Sequence, residues 1–255
     1  MSFWDGLDAR YSVILCDIWG VVHDGVKLYP NAVERLRQWR EQGRQVILIT
    51  NAPRTADAVE AQLDRLGLPR DCWTGVSTSG EAGIDCIKTL HHPTGFLGTR
   101  DDRAILEDHG LSFAEANFTD VAVTGLDDER GHVDEYRDQF TAWAASDVLF
   151  HCFNPDRVVV RGGVAEPCAG ALADVYEGMG GRVAWYGKPH SSIYDYAMSL
   201  AGNPPHEAVL AVGDALVTDM LGAARQGFDA VFVQGGIHAG EPFPDRRSVP
   251  QWSRC

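Results

Sequence analysis

The 255-residue chain contains no Cys-x-x-Cys pair. Its six cysteines, Cys16, Cys72, Cys86, Cys152, Cys168 and Cys255, are scattered, which disfavours a zinc site and fits reduced thiols. Positive charge is also scarce. Lys and Arg number 22 against 36 Asp and Glu, for a formal net charge of −14, and no Lys/Arg cluster forms a stripe that would neutralise phosphates. Nucleic acid and anionic membrane surfaces are therefore poor partners. No apolar run approaches the length needed to cross a bilayer, and Met1-Ser2-Phe3-Trp4-Asp5 lacks the charged-then-apolar layout of a secretory leader. The expected compartment is the cytoplasm. Low-complexity runs and internal repeats are absent too. An ordinary hydrophobic content of 45% and this length suit a folded protein of two units.

The order of elements begins with Ser12-Val13-Ile14-Leu15-Cys16-Asp17-Ile18-Trp19-Gly20-Val21-Val22-His23-Asp24-Gly25. A short apolar run bounded by turn residues reads as a strand buried on both faces, as in a parallel sheet covered by helices. Asp17 falls where this strand ends, the edge at which open parallel sheets bind ligands. The alternative there is an Asp opening a turn through its own side chain. Pro30 starts a helix with Val33, Leu36 and Trp39 inward and Gly43 as its stop. Gln45 to Thr50 is a second buried strand, and the βαβ order sets Asp17 and Thr50 at neighbouring strand ends. A helix over 55–66 follows, with Ala58, Leu63 and Leu66 inward.

From Ser79 the pattern continues as a second α/β unit. Helices are predicted near 80–90, 103–109, 133–145 and 168–177, with strands near 95–97, 121–123 and 148–150; Gly162-Gly163 and Gly180-Gly181 read as turns. The last third returns to the first pattern: a helix over 191–200, a strand over 208–212 ending in Gly213-Asp214, a helix starting near Thr218-Asp219, and a strand over 230–233. At least four parallel strands result, and the tail from Gly235 to Cys255 shows no clear element.

Four groups stand at strand ends or just beyond: Asp17, Thr50, Lys188 and the pair Asp214/Asp219. A carboxylate nucleophile, a hydroxyl donor, a cation and two further carboxylates compose a phosphoryl-transfer site. Mg²⁺ suits it, since this ion takes oxygen ligands and is commonly held by one or two carboxylates plus substrate phosphate. In their order and local context these segments resemble the haloacid dehalogenase (HAD) superfamily, specifically its class IIA branch of nitrophenyl-phosphatase-like and sugar-phosphatase-like proteins. Cys16-Asp17-Ile18-Trp19-Gly20-Val21 is similar to the first family motif, Ile49-Thr50-Asn51 to the second, Gly187-Lys188-Pro189 to the third, and Gly213-Asp214 through Thr218-Asp219 to the fourth. Asn154-Pro155-Asp156 and Cys168-Ala169-Gly170-Ala171-Leu172-Ala173 are similar to the class IIA cap. The resemblance implies an α/β fold with a doubly wound parallel core sheet over 1–78 and 184–255 and an inserted α/β cap over 79–183.

It further implies that Asp17 attacks phosphorus and becomes an aspartyl phosphate, that Thr50 and the backbone N–H of Asn51 hold the phosphoryl oxygens, and that Lys188 neutralises the charge. Mg²⁺ would be bound by Asp17, the Trp19 carbonyl and Asp214, with Asp219 supporting. Asn154 and Asp156 are expected to line the cap side of the substrate cavity, or else to form an Asx-type turn. Arg54 reads either as a contact for a substrate anion or as a solvated residue, and His23 and Asp24 either as site residues or as a polar turn. His91, His92, His109, His132 and His151 show no metal-ligand spacing and read mostly as surface or capping residues. The chain departs from the phosphatase pattern at Trp19, where those members carry a second Asp that moves protons; indole moves none at neutral pH. The expected substrate is a small phosphorylated metabolite. Two alternatives stay open, a HAD hydrolase of a carbon–halogen or carbon–phosphorus bond and a phosphometabolite-binding protein with little turnover, and a homodimer is left open as well.

Overall fold

The computed structural model describes residues 7–161, 164–233 and 252–254. In chain order these form β1 (Val13–Asp17), α1 (Pro30–Glu41), β2 (Gln45–Thr50), α2 (Ala56–Leu66), β3 (Gly75–Thr78), α3 (Ser79–Lys88), β4 (Thr94–Leu97), α4 (Arg100–Asp108) and β5 (Asp120–Val123). Then come α5 (Arg137–Ala145), β6 (Leu149–Cys152), β7 (Val158–Arg161), β8 (Val164–Pro167), α6 (Ala169–Gly178), β9 (Arg182–Trp185), α7 (Ser191–Leu200), β10 (Val209–Gly213), α8 (Leu221–Gln226), β11 (Asp229–Phe232) and β12 (Trp252–Arg254). The chain divides into two compact units, one holding residues 1–50, 59–77 and 188–255 and the other 51–58 and 78–187.

The first unit is built on a six-stranded sheet in the order β12-β11-β10-β1-β2-β3. β1 runs parallel to both β10 and β2, with Asp17 in register with Ile49 and Cys16 with Val212. All five residues of β1 are buried. Val13 and Leu15 pack with Ile193, Tyr194, Ala197 and Met198 of α7 and Ala223 of α8 in one apolar cluster. The intervening Ile14 and Cys16 are buried as well, and period-two alternation sends them to the opposite face, so the run reads as continuously apolar. Strand order reverses between β1 and β10, and open α/β sheets bind their ligands at the carboxyl ends beside such a reversal.

Local sequence accounts for the element ends. Pro30 opens α1 at a position where a missing N–H costs nothing, and Gly43 takes the left-handed conformation just past its end. Leu36 and Trp39 are buried along α1. In α2 the buried residues are Val59 and Leu63, so Val59 replaces the expected Ala58 and Leu66. β3 escapes the apolar-run criterion because Gly75-Val76-Ser77-Thr78 has a single large apolar side chain; Ser77 is nevertheless buried, donating to the Ile193 carbonyl at 2.9 Å. The expected turn at Gly162-Gly163 and most of the tail over 235–255 lie outside the described residues, apart from Trp252–Arg254, which pair parallel with β11.

The second unit has its own parallel sheet, β4-β5-β6-β9, and a separate antiparallel pair, β7-β8. One core gathers aromatic residues of α5, β6 and α6: Phe140 and Phe150 meet edge-on with centroids 6.0 Å apart, and Tyr176 stacks on Phe150 at 5.4 Å. A second core holds Ile84, Ile87, Leu106, Ala122, Phe153 and Tyr186. His151 is a buried member of this unit rather than a surface residue. Its Nε2 lies 2.6 Å from Asp120 and its Nδ1 2.7 Å from the Tyr186 hydroxyl, and burial lowers its pKa. His92 sits on the other oxygen of Asp120 at 2.6 Å.

Candidate active site

Four groups from separate segments of the first unit converge where β1, β2 and β10 end. Asp17 is the last residue of β1, Asp214 follows β10, Asp219 lies in the wide π-helical turn 216–220, and Lys188 precedes α7. All four are buried, none more than 6% exposed. Lys188 Nζ donates to Asp17 Oδ1 at 2.5 Å and to Asp219 Oδ1 at 2.7 Å. The other oxygen of Asp219 accepts the Ala215 N–H at 3.1 Å, so Asp219 has both oxygens engaged. Thr50, buried at the end of β2, stands one residue beyond Ile49, the register partner of Asp17.

The electrostatics are set by three carboxylates against one ammonium. Asp17, Asp214 and Asp219 each bring an oxygen within 4.8 Å of the others. Burial, then the Asp219 charge, pushes the Asp17 carboxyl well above the usual range, against the pull of Lys188. For Lys188, burial acts to lower the pKa, but Asp17 and Asp219 outweigh it and hold the ammonium well above its ordinary value. A buried, all-oxygen set with surplus negative charge and, among the described residues, no soft donor in the cluster fits a hard divalent cation. Asp17, Asp214 and Asp219 are the carboxylates whose oxygens come together there.

Close backbone approach shapes the same corner. Gly20 has φ +86°, and a Cβ there would lie 2.1 Å from Asp214 Oδ2; Gly43 has a similar φ of +80° with nothing within 4 Å. Gly20→Ala is therefore expected to lower both the melting temperature and divalent-cation affinity. Gly43→Ala should cost only the left-handed strain, about 1 kcal/mol. Equal effects of the two substitutions on cation titration would show that Gly20 does not clear space for Asp214.

Trp19 turns its side chain onto the following loop. A Cβ at Gly25 would come within 2.4 Å of the Trp19 ring, and the ring meets His23 edge-on with centroids 5.3 Å apart. His23 is buried, which lowers its pKa, and its Nδ1 accepts the Gly25 N–H at 2.9 Å. Asp24 accepts the N–H groups of Val26 and Lys27, the bonds of an Asx turn. Sequence reasoning quoted Gly20 and Gly25 only as parts of a motif. Their positive φ and close contacts give them separate structural reasons, for which a glycine after each polar turn was the available signal.

The remaining predicted residues belong to the second unit. Asn154 Oδ1 accepts the Asp156 N–H at 3.1 Å, forming the Asx-type turn, and Asn51 Nδ2 donates to Asp156 Oδ1 at 2.8 Å. Arg54 is partly exposed and lies 3.6 Å from Asp102.

Comparison with known proteins bears on the fold and the family. The haloacid dehalogenase-like hydrolase family matches residues 14–112, and a HAD-hydrolase-like family matches residues 185–250. The chain is 27% identical over 247 residues to the ribonucleotide monophosphatase NagD of Escherichia coli (strain K12), covering 94% of each. A haloacid dehalogenase-like hydrolase from Brucella suis 1330 superposes with a TM-score of 0.85 at 36% identity, again over 94% of each chain. A glycerol phosphate phosphatase of Mycobacterium tuberculosis in complex with magnesium gives a TM-score of 0.72 at 25% identity, over 96% of this chain and 78% of that one. With family matches at both ends and a relative of this likeness along nearly its whole length, the chain belongs to the haloacid dehalogenase-like hydrolases, in their class IIA branch.

Proposed function

We propose that the protein is a Mg²⁺-dependent phosphatase of a small phosphorylated metabolite, working through an aspartyl phosphate on Asp17. The observation that carries this reading is the buried Asp17–Lys188–Asp219 chain beside Asp214. A carboxylate oxygen of Asp17 attacks phosphorus as the bond to the ester oxygen breaks, and water then cleaves the acyl phosphate to inorganic phosphate. Lys188, held by Asp219, fixes the nucleophile and stands over the developing charge. Thr50 and the Asn51 N–H donate to phosphoryl oxygens. A bound cation supplies further positive charge for those oxygens. Phosphatase names among the relatives and the magnesium complex of one of them support the reading.

Trp19 leaves the leaving group without its usual proton donor, so the substrates best served are esters whose alcohol departs readily as an anion. The second unit is the part we assign to substrate selection. Its lysine in the stretch 79–183, Lys88, is exposed at the end of α3. That position gives no support to the Schiff-base chemistry of carbon–phosphorus cleavage.

Asp214→Asn is expected to weaken Mg²⁺ binding at least about tenfold, by loss of a charged oxygen ligand, with the circular dichroism spectrum unchanged. Calorimetric titration showing native affinity in that variant would place the cation elsewhere.

A further inference from the structure

Asn51 and Gly187 are the first and last residues of the second unit. Each is one peptide bond from a residue of the proposed chemistry, Thr50 on one side and Lys188 on the other. The two crossing segments meet. Asn51 is buried, and a Cβ on Gly187 would lie 2.5 Å from Asn51 Oδ1 and 2.5 Å from Pro155 Cγ and Cδ. Asn51 turns its amide nitrogen to Asp156 Oδ1 at 2.8 Å; the orientation follows from chemistry, because a carboxylate only accepts.

The loop bearing Asp156 is itself held from several directions. Asn154 Oδ1 takes the Asp156 N–H, the Gly170 N–H donates to the Asp156 carbonyl at 3.1 Å, and a Cβ on Gly170 would sit 2.3 Å from the Pro155 carbonyl oxygen. The Ser79 hydroxyl lies between the carbonyls of Ala52 and Phe153. Close packing at Gly170 and Gly187 and a carboxylate aimed at one amide make a knot that no solvent-facing loop requires.

We infer that the Asn51–Asp156 hydrogen bond is a latch that fixes the two crossing segments against each other and so sets the positions of Thr50 and Lys188. Asp156 is then a positioning residue acting through Asn51. The inference rests on the phosphatase reading for its effect on rate but not for the latch itself.

The test uses the full chain with Mg²⁺ and nitrophenyl phosphate, and compares Asn51→Asp, Asp156→Ala, Asp156→Asn and the exchange Asn51→Asp with Asp156→Asn. Two facing carboxylates in Asn51→Asp break the latch, whereas the exchange rebuilds it with donor and acceptor reversed. Misplacement by about 1 Å costs on the order of 100-fold, so kcat is expected to fall about 10- to 100-fold in Asn51→Asp with KM within about twofold, and to return in the exchange. Hydrogen exchange at the amides of residues 51, 52, 54, 187 and 188 should rise in Asn51→Asp and fall back in the exchange. Should the exchange variant fail to fold, Asp156→Asn, which keeps an acceptor, is expected to lose less activity than Asp156→Ala. An exchange variant no better than Asn51→Asp, or equal losses in Asp156→Asn and Asp156→Ala, overturns the latch. If the native chain releases no phosphate, the phosphatase reading fails while the exchange data alone still decide the latch.

Discussion

Asp17→Asn is expected to abolish phosphate-ester turnover, by at least about 10⁴-fold, while raising the melting temperature at neutral pH in a chelating buffer. The first effect follows from loss of the nucleophile, since removing such a group costs about as much as removing the whole constellation. The second follows from linkage. Burial and Asp219 hold the folded Asp17 carboxyl well above its ordinary value. A carboxyl raised on folding binds its proton more tightly in the folded state, so its ionisation costs stability above the unfolded value of about 3.9. That cost grows as pH rises toward the folded value and is constant beyond it. Asparagine carries no charge and still offers Lys188 an acceptor. The two melting curves should therefore coincide near pH 4 and separate above it, with the variant higher. A variant that melts lower at pH 7 would show that the Asp17–Lys188 ion pair outweighs the crowding of carboxylates.

Trp19 sets the second large effect. General acid–base assistance contributes about 10² to 10⁴ in rate, or roughly 3 to 5 kcal/mol of barrier. An ester that leaves as a stable anion needs little of it, whereas a sugar or alkyl alcohol needs it badly. The chain is expected to hydrolyse nitrophenyl and acyl phosphates at least about 100-fold faster than alkyl phosphates, and log kcat/KM should fall steeply as the leaving-group pKa rises. Trp19→Asp should flatten that slope. Some of the gain will be lost, because the indole packs on Gly25 and His23 and its removal leaves a hole. A flat dependence in the native chain would mean that another residue carries the proton, and His23 would be the first to replace.

The core sheet and the placing of Asp17, Thr50 and Asp214 at its strand ends were legible in the sequence because strands buried on both faces are continuous apolar runs, each ending in a polar residue; Lys188 follows no such run and was read from Gly187-Lys188-Pro189. β3 was not legible, since Ser77 and Thr78 are buried as hydrogen-bonding residues rather than as apolar ones. The β7-β8 pair was likewise missed: Val158 to Val160 is too short a run to distinguish from a loop after Asp156. The contribution of Asp219 was only half readable. Its spacing from Asp214 indicated a carboxylate near the site, but the division of its oxygens between Lys188 and the Ala215 amide depends on the π-helical turn 216–220. Asn51 read as a backbone donor to phosphoryl oxygens, and Asn154 and Asp156 as lining the cap side of a substrate cavity or as a turn. The Asn154–Asp156 bond is the local Asx turn, but the Asn51–Asp156 bond joins residues 105 apart in sequence and has no local signature.

The most direct test of the aspartyl-phosphate account is rapid acid quench of the native chain during turnover of nitrophenyl phosphate with Mg²⁺, followed by intact-mass and peptide mapping. With no usual base to activate water, phosphoryl-enzyme should accumulate to a large fraction of the protein, and the modification should map to Asp17. Turnover with unmodified protein at every quench time, or phosphate found on any other residue, would contradict it.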